Sequence, residues 1–332
     1  MILVGDIGGT KTILALYEQE RTIWSCSKKQ TFASADFETF EKLLDCFLIS
    51  VLDLSVQSVC IGVAGPTVNG DCTTTNLPWE LKSIDIARQL GTEKVKLLND
   101  LEATAWGVLN LPDEDFVELN SAAKKQQGNI AILAAGTGLG EALIIWSDEK
   151  HHVVATEGGH TDFAPRNELE IGLLRYLMEI YPDHVSNERV VCGQGLVDIY
   201  QYLKSINYAK VDGDVAYRMS QEDPAAVIGE KGCKRDDELC VKALDLFCEI
   251  YGAEAGNVAL KCLPKAGVVL AGGIAAKILP SLQRGGFMQG YLAKGRYKEL
   301  LKTMAVKVCL NQEAGLLGAV NYTKLKLIKA IE

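Results

Sequence analysis

Leu3-Val4-Gly5-Asp6-Ile7-Gly8-Gly9-Thr10-Lys11-Thr12-Ile13-Leu14-Ala15-Leu16 sets a glycine-rich turn holding one acid between two apolar runs. The arrangement reads as a tight β-hairpin whose tip is mostly backbone. Glycine lets backbone N–H groups approach a ligand, and successive N–H groups form a concave nest for anions. Asp6 alone would repel a phosphate, and a hydrated Mg²⁺ between the two reconciles them. A nucleoside triphosphate is the first ligand this stretch suggests. The plain alternative is a hairpin connection with no ligand.

The pattern recurs in the second half. An apolar run at 130–135 meets the glycine turn Gly136-Thr137-Gly138-Leu139-Gly140, and a second apolar run follows at 141–146. The chain therefore reads as two related halves, each opening on strand, glycine turn and strand. The polar stretch 112–128 is the domain junction, and 332 residues suit about two domains at roughly 150 residues each. Periodicity predicts a strand at 22–32. A helix capped by Asp36 follows, with Phe37, Phe40, Leu43, Leu44, Phe47, Leu48, Val51 and Leu52 on its apolar side. Buried strands are expected at 56–63 and 94–98, with a helix over 101–109. Further helices fall near 168–181, 195–206 and 235–262. A buried strand at 268–274 runs into Gly272-Gly273 with a helix after it, 305–310 is a strand, and the last twenty residues form an amphipathic helix with a lysine-rich end.

Hydrophobic residues make up 48% and charged residues 23%, the balance of an ordinary globular chain. A net charge of −9 argues against general nucleic-acid binding. The ten cysteines form no C-x-x-C pair and no zinc spacing with histidine. Most of them, such as Cys46, Cys60, Cys240, Cys248 and Cys309, lie in apolar runs, where they are expected buried and reduced in a cytoplasmic protein. No signal-peptide pattern precedes the first strand. The longest apolar run, 266–276, is broken by glycines and too short to cross a bilayer, so no membrane partner is expected.

Two common nucleotide motifs are absent. G-x-x-x-x-G-K-S/T does not occur, and the nearest approach to G-x-G-x-x-G, from Gly136 to Glu141, carries an acid at the third glycine and runs into a strand. Three glycine turns, near 5–10, 136–140 and 272–273, remain to surround one nucleotide. Taken with Leu98-Asn99-Asp100, Glu157-Gly158-Gly159-His160, Ser186-Asn187-Glu188-Arg189-Val190 and Leu270-Ala271-Gly272-Gly273-Ile274, the set resembles the bacterial glucokinases of the hexokinase and actin ATPase superfamily. Each motif is weak alone, but their order over nearly the full length is specific. The resemblance implies an α/β, two-domain ribonuclease-H-like (actin-like ATPase) fold with an interdomain cleft. The small domain would be 1–110 plus 312–332, and the large one 111–311. It implies ATP-dependent phosphorylation of D-glucose on its 6-hydroxyl, with ATP and Mg²⁺ as cofactors, in a homodimer. The competing readings are a kinase for another hexose and a non-catalytic sugar sensor on the same fold.

Residue by residue, the resemblance makes Asp100 the general base on the sugar hydroxyl, with Asn99, Glu157, His160 and Glu188 beside it as sugar ligands. Polar side chains of this kind are what rejects a near-isomer, because the wrong hydroxyl leaves them unpaired. Asp6 would hold Mg²⁺ through water. Gly5, Ile7, Gly8, Gly9, Thr10, Gly136, Thr137 and Gly138 would form the phosphate turns, and Gly272 and Gly273 the adenosine pocket. Plainer readings stand beside these. Asp100 can cap the helix that follows it, His160 can bond backbone, and Glu188 can sit in a helix first turn. Lys11 is either a phosphate contact or a solvated hairpin lysine. Asn76 and Trp79 resemble a sugar-facing segment, with Trp79 read as packing. Related repressors carry a Cys/His zinc cluster after the histidine motif; 161–187 has no cysteine, so no structural zinc is expected. Glu141 after the second glycine turn is out of keeping with a phosphate site, although strand geometry can turn it away.

Overall fold

The structure, a computed structural model, describes every residue except 22, 50, 52–54, 66, 69, 75–76, 125 and 329–332. The chain divides into two compact units, Met1–Pro112 with Asn311–Glu332, and Asp113–Leu310.

In the first unit the opening stretch forms β1 (Ile2–Ile7) and β2 (Lys11–Glu20), an antiparallel hairpin that ends on the pair Ile7↔Thr12. β3 (Ile23–Ala33) pairs antiparallel with β2. α1 (Phe40–Leu48) leads to β4 (Ser58–Val63), which runs parallel to β1. A small sheet of β5 (Thr67–Val68), β6 (Asp71–Thr73) and β7 (Glu80–Lys82) precedes α2 (Ser83–Leu90). β8 (Val95–Asn99), parallel to β4, runs straight into α3 (Asp100–Val108). The main sheet order is β3-β2-β1-β4-β8. β4 is buried along its whole length, which is why it reads as an unbroken apolar run. Phe40, Leu43, Leu44 and Phe47 of α1 join Leu3, Leu14, Val59 and Ile61 in one core.

α1 begins later than an Asp36 cap predicts. Asp36 closes a short 3-10 turn, and Phe37 is extended with its ring edge-on to Phe32 at 5.5 Å. Thr39 is the cap, accepting from the Lys42 N–H. The helix ends at Leu48, and position 52 lies outside the described residues. Trp79 is packing: it is buried, and its Nε1 donates to the Phe37 carbonyl at 3.1 Å.

In the second unit β9 (Phe116–Glu118) is an edge strand, and the second glycine turn joins β10 (Ile130–Ala135) to β11 (Leu139–Ser147). β12 (Lys150–Thr156) follows, then α4 (Glu168–Ile180), α5 (Gly193–Ser205), α6 (Gly213–Gln221), α7 (Pro224–Lys234) and the long α8 (Glu238–Cys262). β13 (Gly267–Ala271) runs into α9 (Gly272–Lys277), and α10 (Leu279–Leu282), α11 (Gly286–Leu292) and α12 (Lys298–Leu301) lead to β14 (Val306–Cys309). The sheet order is β12-β11-β10-β13-β14-β9. Its first five strands repeat the plan of the first sheet, an antiparallel three-strand meander continued by two parallel strands. The echo between the two glycine hairpins therefore extends to whole sheets. β12, α6 and α7 were not read from the sequence; β12 and α6 are largely exposed, and α6 is polar overall with one buried residue, Val215.

The C-terminal α13 (Ala314–Tyr322) returns to the first unit. It packs backbone-close on α3. A Cβ at Gly107 would stand 2.0 Å from the Ala314 carbonyl oxygen, and one at Gly318 would stand 1.7 Å from that of Ala103. Among the described residues no helix is long and apolar enough to cross a membrane. Cys60, Cys240, Cys248 and Cys309 are buried and form no disulfide; Cys46 is not buried, lying on the exposed side of α1.

Candidate active site

In the first unit two acids stand at the carboxyl ends of parallel strands, where open α/β sheets present their ligand-binding loops. Asp6 lies near the end of β1, in register with Gly62 of β4, and Asp100 directly follows β8. Asp6 is raised to about 6 by burial first and by the Asp100 charge second, with Lys11 opposing. Gly315, in the first turn of α13, gives Asp6 its room: a Cβ there would come within 3.2 Å of Oδ2. Lys11 is exposed. Gly5 and Ile7, expected at the cofactor, are placed in the core instead. Ile7 is buried, and a Cβ on Gly5 would meet Leu14 at 2.8 Å. Their part is to carry Asp6 to the tip.

The tip itself is held by side chains that sequence reasoning missed. Ser34 Oγ donates to the Gly8 carbonyl at 2.9 Å and pairs with Thr12 Oγ1 at 2.9 Å, while the Gly8 N–H donates to Lys11 O. No sequence signal marks a serine at a strand end for this task. The N–H groups of Gly9 and Thr10 find no acceptor among the described residues, which leaves two adjacent donors at the tip.

Asn99, not Asp100, is the N-cap of α3. Its Oδ1 accepts from the N–H groups of Leu101 and Glu102, and its Nδ2 donates to Gly65 O at 3.3 Å. Asp100 is exposed, with one oxygen accepting from the Leu101 N–H. Asn76 lies outside the described residues.

The second unit gathers the other candidates. Gly136 N–H donates to Gly138 O across the glycine turn, and the Thr137 and Gly138 N–H groups find no acceptor among the described residues. Leu139 N–H donates to Glu188 Oε2 at 2.9 Å. That carboxylate reaches the turn only because residue 138 is glycine, since a Cβ there would stand 2.4 Å from Oε2. Glu188 Oε1 lies 3.8 Å from His160 Nδ1, and His160 Nε2 lies 3.9 Å from Glu157 Oε2. The Glu157–His160 turn is stitched to the segment carrying Glu188. The N–H groups of Glu188 and Asn187 donate to the carbonyls of Gly159 and Thr161, and Asp162 bridges to Ser186. Gly272 opens α9 with φ +81° and lies against Ala135 at the end of β10; a Cβ would stand 2.5 Å from that carbonyl oxygen. Gly273 follows it, half-buried. Glu141 points into the protein interior. It is buried beside Glu254 of α8.

The family model described as glucokinase matches residues 3–326. The chain belongs to the glucokinase family. It is 40% identical over 336 residues to the glucokinase of Nostoc punctiforme, covering 96% of this chain and 97% of that one. The glucokinase of a Synechocystis strain is also 40% identical, over 340 residues and 96% of each chain. Among solved structures, a glucokinase from an Antarctic psychrotroph superposes with a TM-score of 0.81 at 27% identity, covering 96% of this chain and 97% of that one. The twin meander-plus-parallel sheets are thus the α/β fold of the glucokinase family.

Proposed function

We propose that this protein transfers the γ-phosphoryl group of ATP to the 6-hydroxyl of D-glucose. The observation that carries the reading is the placement of Glu188: one oxygen accepts from the glycine turn at Leu139 while the other faces His160. A phosphate-type turn and a polyhydroxyl-type polar cluster share one side chain, as a sugar kinase requires.

In the first unit, Asp100 takes the proton from the attacking hydroxyl. Such a base contributes roughly 10²–10⁴ in rate. In the second unit, Glu157, His160 and Glu188 hold the sugar hydroxyls, and Asn99 adds its amide while anchoring α3 under Asp100. The adjacent N–H groups of Gly9 with Thr10, and of Thr137 with Gly138, suit phosphate oxygens. Gly8 and Gly136 shape those turns, Lys11 adds a positive charge, and Gly272 and Gly273 line the adenosine side. Asp6, raised partly by Asp100, suits a hydrated divalent cation, which would relieve the repulsion between the two acids. Mg²⁺ on the nucleotide supplies neutralisation of charge in the transferring group. We read the two compact units as the two domains, and the molecule as a cytoplasmic homodimer.

Asp100→Asn keeps the shape of the side chain and removes the base. Coupling glucose 6-phosphate formation to its dehydrogenase should show kcat lower by about 10²–10⁴ with the KM for glucose changed little. An Asp100→Asn enzyme with full turnover would remove this assignment.

A further inference from the structure

Glu141, which follows the phosphate-type turn, has no part in the proposed reaction. Its side chain is 3% exposed, and that of Glu254 is 2% exposed. The two carboxyl groups face each other closely enough that the charge on Glu254 raises Glu141. Glu141 Oε1 and Glu254 Oε1 are each buried with no hydrogen-bond partner among the described residues. Two buried carboxylates cannot satisfy one another, since both are acceptors; one proton between them supplies the missing donor. Burial raises both groups, and the Glu254 charge raises Glu141 further. Lys261 and Lys294 face the pair with opposing charge, and Tyr251 and Cys262 face it as acids raised by burial and by Glu141. Glu254 is held in turn: Asn257 Nδ2 donates to its Oε2 at 2.8 Å, and Lys294 Nζ donates to Asn257 Oδ1.

The Glu157–His160 turn sits directly on this pair. A Cβ at Gly158 would stand 2.1 Å from Glu141 Oε2. Thr156 Oγ1 donates to the Glu141 carbonyl at 2.8 Å and accepts from the Gly158 N–H at 3.2 Å.

We propose that Glu141 is a positioning residue for this turn: joined to Glu254 through one shared proton, it forms the floor on which Gly158 rests and so fixes where Glu157 and His160 stand. The inference rests on the reading of Glu157 and His160 as sugar ligands. Loss of the shared proton to solvent leaves two buried negative charges under the turn and loosens it.

The test combines amide hydrogen exchange at 156–161 with glucose kinetics, at about pH 6 and about pH 9, a span in which a buried carboxyl pair titrates. Glu141→Gln keeps a donor toward Glu254 that cannot ionise; Glu141→Ala removes the floor. In the wild type, protection of the turn should fall and the KM for glucose should rise at the higher pH. Glu141→Gln should abolish both changes, whereas Glu141→Ala should show them at both pH values. The KM rise should be about tenfold or more, with the KM for ATP within about twofold. If Glu141→Gln follows the wild-type pH response, or if no variant alters protection of the turn, the inference is wrong, and this comparison stands even where Glu141→Ala fails to fold. His160→Ala separates the two readings. If it leaves the KM for glucose unchanged while the exchange pattern holds, the sugar role fails and the floor stands. If it raises KM while the Glu141 variants move nothing, the sugar role stands and the floor fails.

Discussion

Asp6 carries a conflict between stability and function. Its carboxyl is raised to about 6 from an ordinary 3.8, so the folded state holds the proton more tightly than the unfolded chain does. The sign follows: stability attributable to Asp6 is full below about pH 4 and is lost as pH rises through about 6. The loss amounts to at most about 3 kcal/mol before relaxation. Asp6→Asn should therefore raise the melting temperature at about pH 8 by several degrees, with the gain vanishing toward pH 4, while phosphoryl transfer falls. A gain independent of pH would contradict the assignment of the burial cost to this charge. At this scale the sequence was partly legible. Asp6 declared itself by being an acid inside a glycine turn. Asp100, Glu157, His160 and Glu188 are far apart in the chain, and only the ordered motifs brought them together. The cap of α3 was read one residue too late, at Asp100 rather than Asn99, because both residue types cap helices well and the sequence does not say which one starts the first turn. Glu141 was not readable, because its orientation depends on a partner in α8 that no local pattern announces.

At the scale of elements, the contact of α3 with α13 positions both acids of the first unit. α3 starts at Asp100, α13 starts against Asp6, and the helices meet through Gly107 and Gly318. Adding a methyl group at Gly318 drives a side chain into backbone, which cannot give way as the end of a flexible side chain would. Gly318→Ala should cost about 1–3 kcal/mol or more in urea unfolding and should lower kcat as well, because the displaced helices carry Asp100 and the seat of Asp6. An unchanged midpoint and unchanged kcat would show that the helices need no such closeness. The terminal segment is helical over 314–328, as α13 and then a π-helical stretch. α13 is buried on most sides rather than amphipathic, and 329–332 lie outside the described residues. The glycines of α13 look like helix weakeners in sequence and gain their meaning only from the partner helix. The two glycine hairpins were the opposite case. Alternating apolar runs around glycine are local signals, and both formed as written.

For the whole molecule, the repeat of one sheet plan in two units was legible from the recurring hairpin, whereas β12, α6 and α7 were not, β12 and α6 being largely exposed and α7 short on large apolar residues. α7, for instance, starts on an Asp223 cap with Pro224 in its first turn, signals that are weak without a strong apolar stripe. The central claim is that this architecture phosphorylates glucose. The most direct measurement is the initial rate of sugar phosphate formation with Mg-ATP over a panel of hexoses, expressed as kcat/KM. The account predicts turnover with D-glucose and a preference over its epimers of about tenfold or more, since each misplaced hydroxyl leaves a polar side chain in the sugar site unpaired. Binding of glucose without any consumption of ATP, or equal kcat/KM for glucose and its epimers, would contradict it.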